Sequence, residues 1–265
     1  DVTVLEGNIS VGDAARSIVD EDLRRATARN HTATHLLHAA LREVLGDHVQ
    51  QAGSYVSGDR LRFDFSHHSP VSAKELREIE NMVADWVLGD LKVRAETMPL
   101  AEAKKIGAIA LFGEKYGDHV RVVRIDNASS EFCGGTHVDS TGQIGLVKIM
   151  SESAVAAGIR RIEAVTGYSV LAHMRSNEEI LDNIADAMKS AYEEIPDRVL
   201  RLQREVKELE KQIEGLTLKA ASSQAEDLID QAAEVNGAKV VVGAVDGFNE
   251  HAIRELADRI RGKLG

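Results

Sequence analysis

Two pairs of metal-binding side chains, far apart in the sequence, place the strongest constraint on how this chain can fold. The first pair is His31 and His35, and the second is Cys133, the only cysteine, with His137. A spacing of four puts two side chains on one face of a helix. Three imidazoles and one thiolate complete a tetrahedral set for Zn²⁺, or provide three ligands and an open position for a reacting water. The sequence therefore predicts a fold that brings the two pairs together in a metal site, which we expect to be catalytic.

Each pair also has a simpler explanation. Ten histidines make one pair at this spacing unsurprising, and a free cysteine often packs as a small apolar side chain. The two glycines before Thr136 favour the metal site, because glycine lets the backbone turn sharply or approach a ligand closely. A Cys133 nucleophile with His137 as its base is a further alternative. The zincin protease pattern is excluded because no glutamate follows His31.

Composition limits the class of protein. A hydrophobic content of 43% is enough for a packed core, and no apolar run is long enough to span a bilayer. A single cysteine excludes an intramolecular disulfide and fits the cytoplasm. The net charge of −11 argues against a general polyanion binder. Ordinary surface charge explains most basic groups, but two or three of them could form a phosphate-binding face: Arg24-Arg25 with Arg29, Arg60 with Arg62, Lys104-Lys105, Arg121 with Arg124, and Arg160-Arg161.

Hydrophobic periodicity predicts an α+β fold of two layers, with antiparallel sheet and helices against one face. A helix from about Asp22 to Gly46 carries the first histidine pair, and a glycine-bearing loop over 129–138 carries the second. Short strands are predicted over residues 1–20. The other predicted strands cover 53–56, 61–65, 91–98, 119–125, 145–151 and 159–165, and the other predicted helices cover 72–89 and 100–106.

The sequence changes character after Gly167. Apolar residues from Ile195 to Leu216 recur in steps of four and three, which predicts a heptad seam. About three heptads suit either a helical hairpin within the chain or a coiled coil between copies. Ala220–Gln224 is predicted to be a junction, followed by a helix over 225–235, a buried strand over 238–245 and a helix over 250–263.

Two segments resemble the editing domain of alanyl-tRNA synthetases and the free-standing editing proteins related to it. They are His31-Thr-Ala-Thr-His35-Leu-Leu-His38-Ala-Ala-Leu and Phe132-Cys-Gly-Gly-Thr-His137. The resemblance extends over about residues 10–168. It implies Zn²⁺ held by His31, His35, Cys133 and His137.

The same resemblance implies a substrate pocket lined by Gln51 and Thr34. Gln51 would hydrogen-bond near the reacting ester, although it also fits a surface amide after the helix. Thr34 also fits simple helix packing. For His38, a supporting position is favoured over ligation, because four ligands are already present.

The resemblance implies hydrolysis of the ester that joins a wrong amino acid, serine or glycine, to alanine tRNA. A synthetic pocket for alanine cannot strongly exclude glycine, nor a side chain that adds only a hydroxyl, so a second hydrolytic site is needed. The alternatives are a free-standing trans-editing deacylase and a non-enzymatic, zinc-stabilised module for tRNA binding and oligomerisation. Serine on threonine tRNA is a lesser possibility.

The start at Asp1 and the abrupt end suggest a fragment whose ATP-dependent aminoacylation domain lies outside this chain. A homo-oligomer through the helical region and no membrane partner are also expected. On this resemblance, residues 1–25 are the tail of an upstream β-barrel element, 26–168 the editing domain, 169–222 a helical linker or coiled coil, and 223–265 the truncated start of a C-terminal α/β domain.

Overall fold

The computed structural model describes residues 3–4, 6–110 and 116–265 and divides the chain into two compact units, 1–177 and 178–265. The first unit combines helices with antiparallel sheets, so the predicted α+β class is confirmed. Its helices are α1 (Glu21–Leu45), α2 (Ala73–Leu88), α3 (Leu100–Lys105) and the start of α4 (Tyr168–Met188). Its strands are β1 (Gln51–Val56), β2 (Leu61–Ser66), β3 (Val93–Pro99), β4 (His119–Ile125), β5 (Ser129–Phe132), β6 (Val147–Ala156) and β7 (Ile159–Thr166).

Helices α1 and α2 pack against a four-stranded antiparallel sheet of order β1-β2-β7-β6. The strand predicted over 61–65 corresponds to β2, and Leu61, Phe63 and Phe65 on one of its faces are fully buried. They share the core with α1 residues such as Leu36 and Leu41. Burying large aliphatic and aromatic side chains supplies most of the stabilisation of such a layer.

Helix α1 begins where the sequence provides a cap. The Asp20 side chain accepts a hydrogen bond from the backbone N–H of Leu23 at 3.0 Å, and Glu21 and Asp22 place negative charge in the first turn. Both features stabilise a helix N-terminus. The helix ends at Gly46, whose φ of 114° is readily adopted only by glycine. The predicted bounds of this helix are therefore correct to within a residue.

A second, smaller sheet of order β3-β4-β5 carries the other half of the site. Val120, Val122 and Phe132 bury one face of this sheet against Ala103 of α3. Strand β5 ends at Phe132, so Cys133 is the first residue of the loop that follows. The predicted 129–138 loop is thus a short strand in its first four residues and a loop in the rest.

The strands predicted before residue 20 are wrong for the described part of that segment. Residues 3–4 and 6–20 form a turn and extended chain without strand pairing, because no neighbouring strand satisfies their backbone groups. Residues 1, 2 and 5 lie outside the described residues. Helix α1 also crosses the predicted boundary between residues 25 and 26.

The second unit contains the end of α4, then α5 (Ile195–Asp230), β8 (Ala233–Val235), β9 (Ala238–Val240) and α6 (Glu250–Leu264). The predicted junction at Ala220–Gln224 is wrong, since α5 runs through it without a break. Alanine is the best helix former, and Ala221 and Ala225 are buried against α6. The predicted buried strand over 238–245 is also wrong, because β9 is three residues long and exposed.

The predicted heptad seam lies on α5 and is largely open to solvent. Its central apolar residues are all exposed: Leu202, Val206, Leu209, Ile213 and Leu216. Among the described residues, no helix combines the length and apolar character needed to cross a bilayer.

Candidate metal centre

The fold brings the two predicted ligand pairs together. Helix α1 presents His31 and His35 on one face, and the loop after β5 presents Cys133 and His137 opposite them. One ligand atom from each of the four side chains lies within 4.8 Å of all the others. The Cys133 Sγ lies 3.4 Å from Nε2 of His31 and 3.3 Å from Nε2 of His137. These distances are close to those between neighbouring ligand atoms around one tetrahedral ion.

The orientation of His137 is set by Thr32. The Thr32 hydroxyl donates to the carbonyl of Ala28 at 2.9 Å, so its oxygen is left to accept from others. It accepts from Nδ1–H of His137 at 3.1 Å and from the backbone N–H of Val138 at 3.2 Å. With the ring proton on Nδ1, the Nε2 lone pair of His137 is left for a metal.

The orientation of His35 is set by a buried carboxylate. Oε2 of Glu131 lies 3.0 Å from Nδ1 of His35 and 3.2 Å from Nδ1 of His38. The Ser129 hydroxyl donates to the other carboxylate oxygen at 2.7 Å. Nε2 of His35 is buried and has no hydrogen-bond partner within the described chain. A buried polar nitrogen without a partner is costly, and a metal bound with the other three ligands would satisfy it.

The charges in this centre also suit a divalent cation. Burial opposes ionisation of Cys133, but its contacts with the imidazoles of His137 and His31 lower the pKa of its thiol to about 3. Burial likewise opposes ionisation of Glu131, yet His35 and His38 hold the pKa of that carboxyl well below its usual range. Burial lowers the pKa of His35, whereas the charge of Glu131 raises it to about 10. The centre thus contains two anions, the buried carboxylate of Glu131 and the half-buried thiolate of Cys133, and one cationic imidazole, that of His35. A Zn²⁺ ion that replaced the proton on His35 would balance the two negative charges.

Two features fix the position of the loop, one against β4 and the other against α1. The guanidinium of Arg121 on β4 donates from one nitrogen to the carbonyls of Cys133 and Gly135, both at 2.8 Å. The backbone N–H of Cys133 donates in turn to the Arg121 carbonyl at 3.0 Å. A Cβ atom at Gly135 would overlap the ring of His31, whereas one at Gly134 would meet nothing within 4 Å. The second of the two predicted glycines is therefore the one that the close approach requires.

The structure places the remaining predicted residues as follows. Thr34 is buried, and its hydroxyl donates to the carbonyl of Asn30 at 2.8 Å, so it can only accept from a substrate. Gln51 is partly buried at the start of β1, opposite Phe65 of β2. His38 is buried and bonds to Glu131, which fits the supporting position predicted for it.

A groove of about 780 Å³ adjoins the ligand cluster. His137 and Asp139 line one part of it, and the exposed side chains of Arg24 and Arg25, with the half-buried Arg29, line another. Two other predicted basic pairs are engaged elsewhere, because Arg121 is bonded to the metal-site loop and the pair at 160–161 bonds to Glu152 and Asp64. Of the predicted basic groups, the arginines at the start of α1 are the ones that line this groove, together with Glu21, which pairs with Arg25 at 3.1 Å.

Sequence reasoning missed three residues that shape the centre. Glu131 and Thr32 orient two of the imidazoles, and Arg121 was considered only as a possible phosphate contact. Glu131 lies two positions before Cys133 on a strand, where an acidic residue facing a buried surface is unusual. That position was the one available signal, and only the fold shows which helix the carboxylate faces.

Comparison with known proteins adds a family context. A family model for the threonyl and alanyl tRNA synthetase second additional domain matches residues 120–163. The chain is 50% identical over 262 residues to the alanine–tRNA ligase of Thermoanaerobacter sp. (strain X514), covering 99% of this chain and 30% of that protein. It is 48% identical to the alanine–tRNA ligases of Leptothrix cholodnii, over 261 residues, and Carboxydothermus hydrogenoformans, over 263 residues. These matches cover 98% and 99% of this chain and 30% of each relative.

The chain thus spans about 30% of the length of these curated relatives. Its similarity extends over both compact units and includes the loop with the second ligand pair. The resemblance to alanyl-tRNA synthetases predicted from the two motifs is therefore confirmed.

Proposed function

We propose, from the similarity of this chain to one segment of alanine–tRNA ligases, that it hydrolyses the ester of a wrongly attached amino acid on alanine tRNA. The observation that carries this proposal is the cluster of His31, His35, Cys133 and His137, whose ligand atoms lie within 4.8 Å of one another. Three imidazoles and a thiolate form the donor set that Zn²⁺ prefers. We propose these four residues as its ligands.

Bound Zn²⁺ would supply Lewis acidity to an ester carbonyl, a binding position for the substrate amine, or an acidified water. The protein's own groups prepare that position. Glu131 and Thr32 hold the rings of His35 and His137 with Nδ1 protonated, so both Nε2 atoms face the centre. Because these partners are fixed before substrate binds, little reorganisation is needed during the reaction.

The proposed substrates are alanine tRNA carrying serine or glycine, for which the synthetic site alone discriminates poorly. Thr34 and Gln51 are proposed to contact the amino acid and its ester. The Thr34 hydroxyl already donates to a backbone carbonyl, so it would accept a hydrogen bond, as from a serine hydroxyl or an amine. The Gln51 amide can both donate and accept near the ester.

The basic groove supports a nucleic-acid substrate in spite of the acidic net charge. Arg24, Arg25 and Arg29 lie on the α1 segment that precedes His31, and the groove they line reaches His137. Guanidinium groups are well suited to bind phosphates. We propose that the groove binds the acceptor end of the tRNA, and that the chain acts in the cytoplasm as the editing part of an alanine–tRNA ligase.

The remaining segment assignments are part of the proposal. Residues 26–168 would form the editing domain and 169–222 a linker, with 1–25 and 223–265 belonging to flanking domains. The exposed apolar residues of α5, such as Val206, Leu209 and Ile213, support a coiled coil between two copies. Sedimentation of the chain and a Leu209→Lys variant would test this, since a monomeric parent would contradict it.

Deacylation of serine-charged alanine tRNA tests the function directly. We expect the zinc-loaded chain to accelerate release of serine, and a chelator or Cys133→Ala to return the rate to the uncatalysed one. Serine-charged threonine tRNA should be hydrolysed more slowly. Arg24→Ala should raise KM while leaving zinc content unchanged, whereas Arg175→Ala, an exposed arginine on α4, should change neither.

A folded, zinc-loaded chain with no deacylase activity would refute the proposed reaction and favour a non-enzymatic zinc-stabilised tRNA-binding module. A metal-free chain that keeps full activity, with Cys133→Ala inactive, would instead favour Cys133 as a nucleophile. Equal activity on both tRNAs would refute the choice of alanine tRNA.

A further inference from the structure

A second cluster of imidazoles lies in the first unit, apart from the proposed zinc ligands. His48 is in the turn between α1 and β1, and His67 and His68 follow β2. One ligand atom from each ring lies within 4.8 Å of the other two. The ring of His67 lies 5.2 Å from that of His48 and 4.9 Å from that of His68, measured between centroids. Three rings from two separate turns thus converge on one point.

The two turns that carry these rings are fixed to each other. The Ser66 hydroxyl donates to the carbonyl of His48 at 2.7 Å and accepts from the backbone N–H of Gln50 at 2.9 Å. The backbone N–H of His67 donates to the carbonyl of Gly158 at 3.0 Å. A site whose ligands are held by backbone hydrogen bonds loses little conformational entropy when it binds an ion.

The orientation of His67 exposes one of its nitrogens to the other rings. Nε2 of His67 lies 3.2 Å from the Ser69 hydroxyl, and its Nδ1 lies 2.9 Å from Nε2 of His48. If Nε2–H donates to Ser69, the Nδ1 lone pair faces the cluster, which is how hydrogen bonds to ligand histidines set their tautomer. His67 is 91% buried while His48 and His68 are exposed. One of the three rings is therefore held in place by its surroundings, and an ion can reach the cluster from solvent.

We propose that His48, His67 and His68 form a second metal site that binds a borderline divalent cation such as Zn²⁺, with solvent water completing the coordination. Three imidazoles suit Zn²⁺, Ni²⁺ or Cu²⁺ and not Mg²⁺ or Ca²⁺, which prefer oxygen ligands. Tetrahedral Zn²⁺ at its usual bond length separates two nitrogen ligands by about 3.3 Å. The His48–His67 distance of 2.9 Å therefore has to open by only about 0.4 Å.

The charges near this position are of both signs. The guanidinium of Arg160 opposes positive charge at His67, but it donates two hydrogen bonds to the Glu152 carboxylate, at 2.5 and 2.7 Å, which offset its charge. The carboxylate of Glu75 is also close enough to act on His67. An ion at this site would join the α1–β1 turn to the β2–α2 turn and stabilise the folded state, because the unfolded chain lacks the assembled ligands.

Zinc stoichiometry tests the proposal on the whole chain. Metal-free protein is titrated with Zn²⁺ by calorimetry, and bound zinc is counted after gel filtration. We expect the double variant His48→Gln/His68→Gln to bind one equivalent fewer than the parent. The control His119→Gln/His251→Gln replaces two exposed histidines outside the cluster and should bind as the parent does. All substitutions are at exposed positions, so circular dichroism should show unchanged folding.

Binding of Co²⁺ distinguishes the second site from the centre that contains the Cys133 thiolate. Co²⁺ bound to Cys133 gives a sulfur-to-metal charge-transfer band, which should be the same in the parent and in His48→Gln/His68→Gln. The Cys133→Ala variant should lose that band but still bind the metal equivalent at the second site, which the double variant does not bind. Binding of the same number of zinc equivalents by parent and double variant, with affinities within twofold, would overturn the proposal.

Discussion

Replacing Glu131 by glutamine is the sharpest test of how the proposed zinc centre is built. The substitution keeps the size and shape of the side chain and removes its charge. In the parent, Oε2 of Glu131 lies 3.0 Å from Nδ1 of His35 and 3.2 Å from Nδ1 of His38. In Glu131→Gln, an amide must replace a carboxylate that serves both rings, and its NH₂ group cannot accept from either.

The expected loss of zinc affinity can be obtained in two ways. A hydrogen bond to a charged group contributes about 1.5–3 kcal/mol and a neutral one about 0.5–1.5. The bond to the ligand His35 therefore loses about 1–1.5 kcal/mol, and disturbance of the shared bond to His38 adds to this. Removing the partner of a ligand histidine weakens metal binding by about 10- to 100-fold, or about 1.4–2.7 kcal/mol. We therefore expect zinc to bind about 10- to 100-fold more weakly.

The assay is competition for Zn²⁺ with a colorimetric chelator at fixed pH, with all variants made on the His48→Gln/His68→Gln background so that only the centre containing Cys133 is measured. Glu152→Gln is the matched control, because Glu152 is also a buried carboxylate in an ion pair, with Arg160, but touches none of the proposed ligands. It should keep its zinc affinity within about twofold of the parent, well below the change expected at Glu131. A folded Glu131→Gln protein that binds zinc within about threefold of the parent would refute the orienting role.

Three further predictions concern single positions. Gly135→Ala should lower zinc affinity at least about tenfold, because its methyl group would overlap the ring of His31, whereas Gly134→Ala should leave the affinity unchanged. Equal zinc affinities of the two variants would contradict the close approach of Gly135 to His31. Asn30→Ala should lower the free energy of unfolding, measured in urea, by about 2–4 kcal/mol, because two carbonyls of the β1–β2 turn and a hydroxyl of β7 lose their buried hydrogen-bond partner. A loss below about 1 kcal/mol would contradict a stabilising role for these hydrogen bonds. Ser72→Ala should lower Tm more at pH 7 than at pH 3, because hydrogen bonds from Ser72 lower the pKa of Glu75. The resulting stabilisation is present above the ordinary carboxyl pKa of 4.5 and is lost as the pH falls through the lowered pKa. A change in Tm that is the same at both pH values would disprove this coupling.

Local signals in the sequence accounted for the helix and strands that build the centre. The helical spacing from about Asp22 through His35 and the glycine at 46 located α1 to within a residue. The strand predicted over 119–125 coincides with β4. The meeting of the two ligand pairs could be predicted because a metal needs all its ligands at one point.

Contacts between distant elements could not be predicted in the same way. The loop predicted over 129–138 contains Glu131, but nothing in the sequence shows that its carboxylate faces His35 and His38 on α1. Arg121 resembles a surface cation in the sequence, and only the register of β4 and the loop shows that it bonds to backbone carbonyls. The continuity of α5 through Ala221 likewise depends on its burial against α6, which no local pattern specifies.

Helix α1 fixes the distance and the relative orientation between the groove and the proposed zinc centre. Arg24 and His31 are seven residues apart, which corresponds to about 10.5 Å and nearly two turns, so both point to the same side. No hinge lies between them, since α1 is one uninterrupted helix. A polyanion held at the arginines would therefore present its next groups at a fixed distance from the ligand rings. One inserted residue between Arg24 and His31 would rotate the two groups apart by about 100°. The arginines and the proposed zinc ligands would then no longer face the same substrate, although neither set of side chains had been changed.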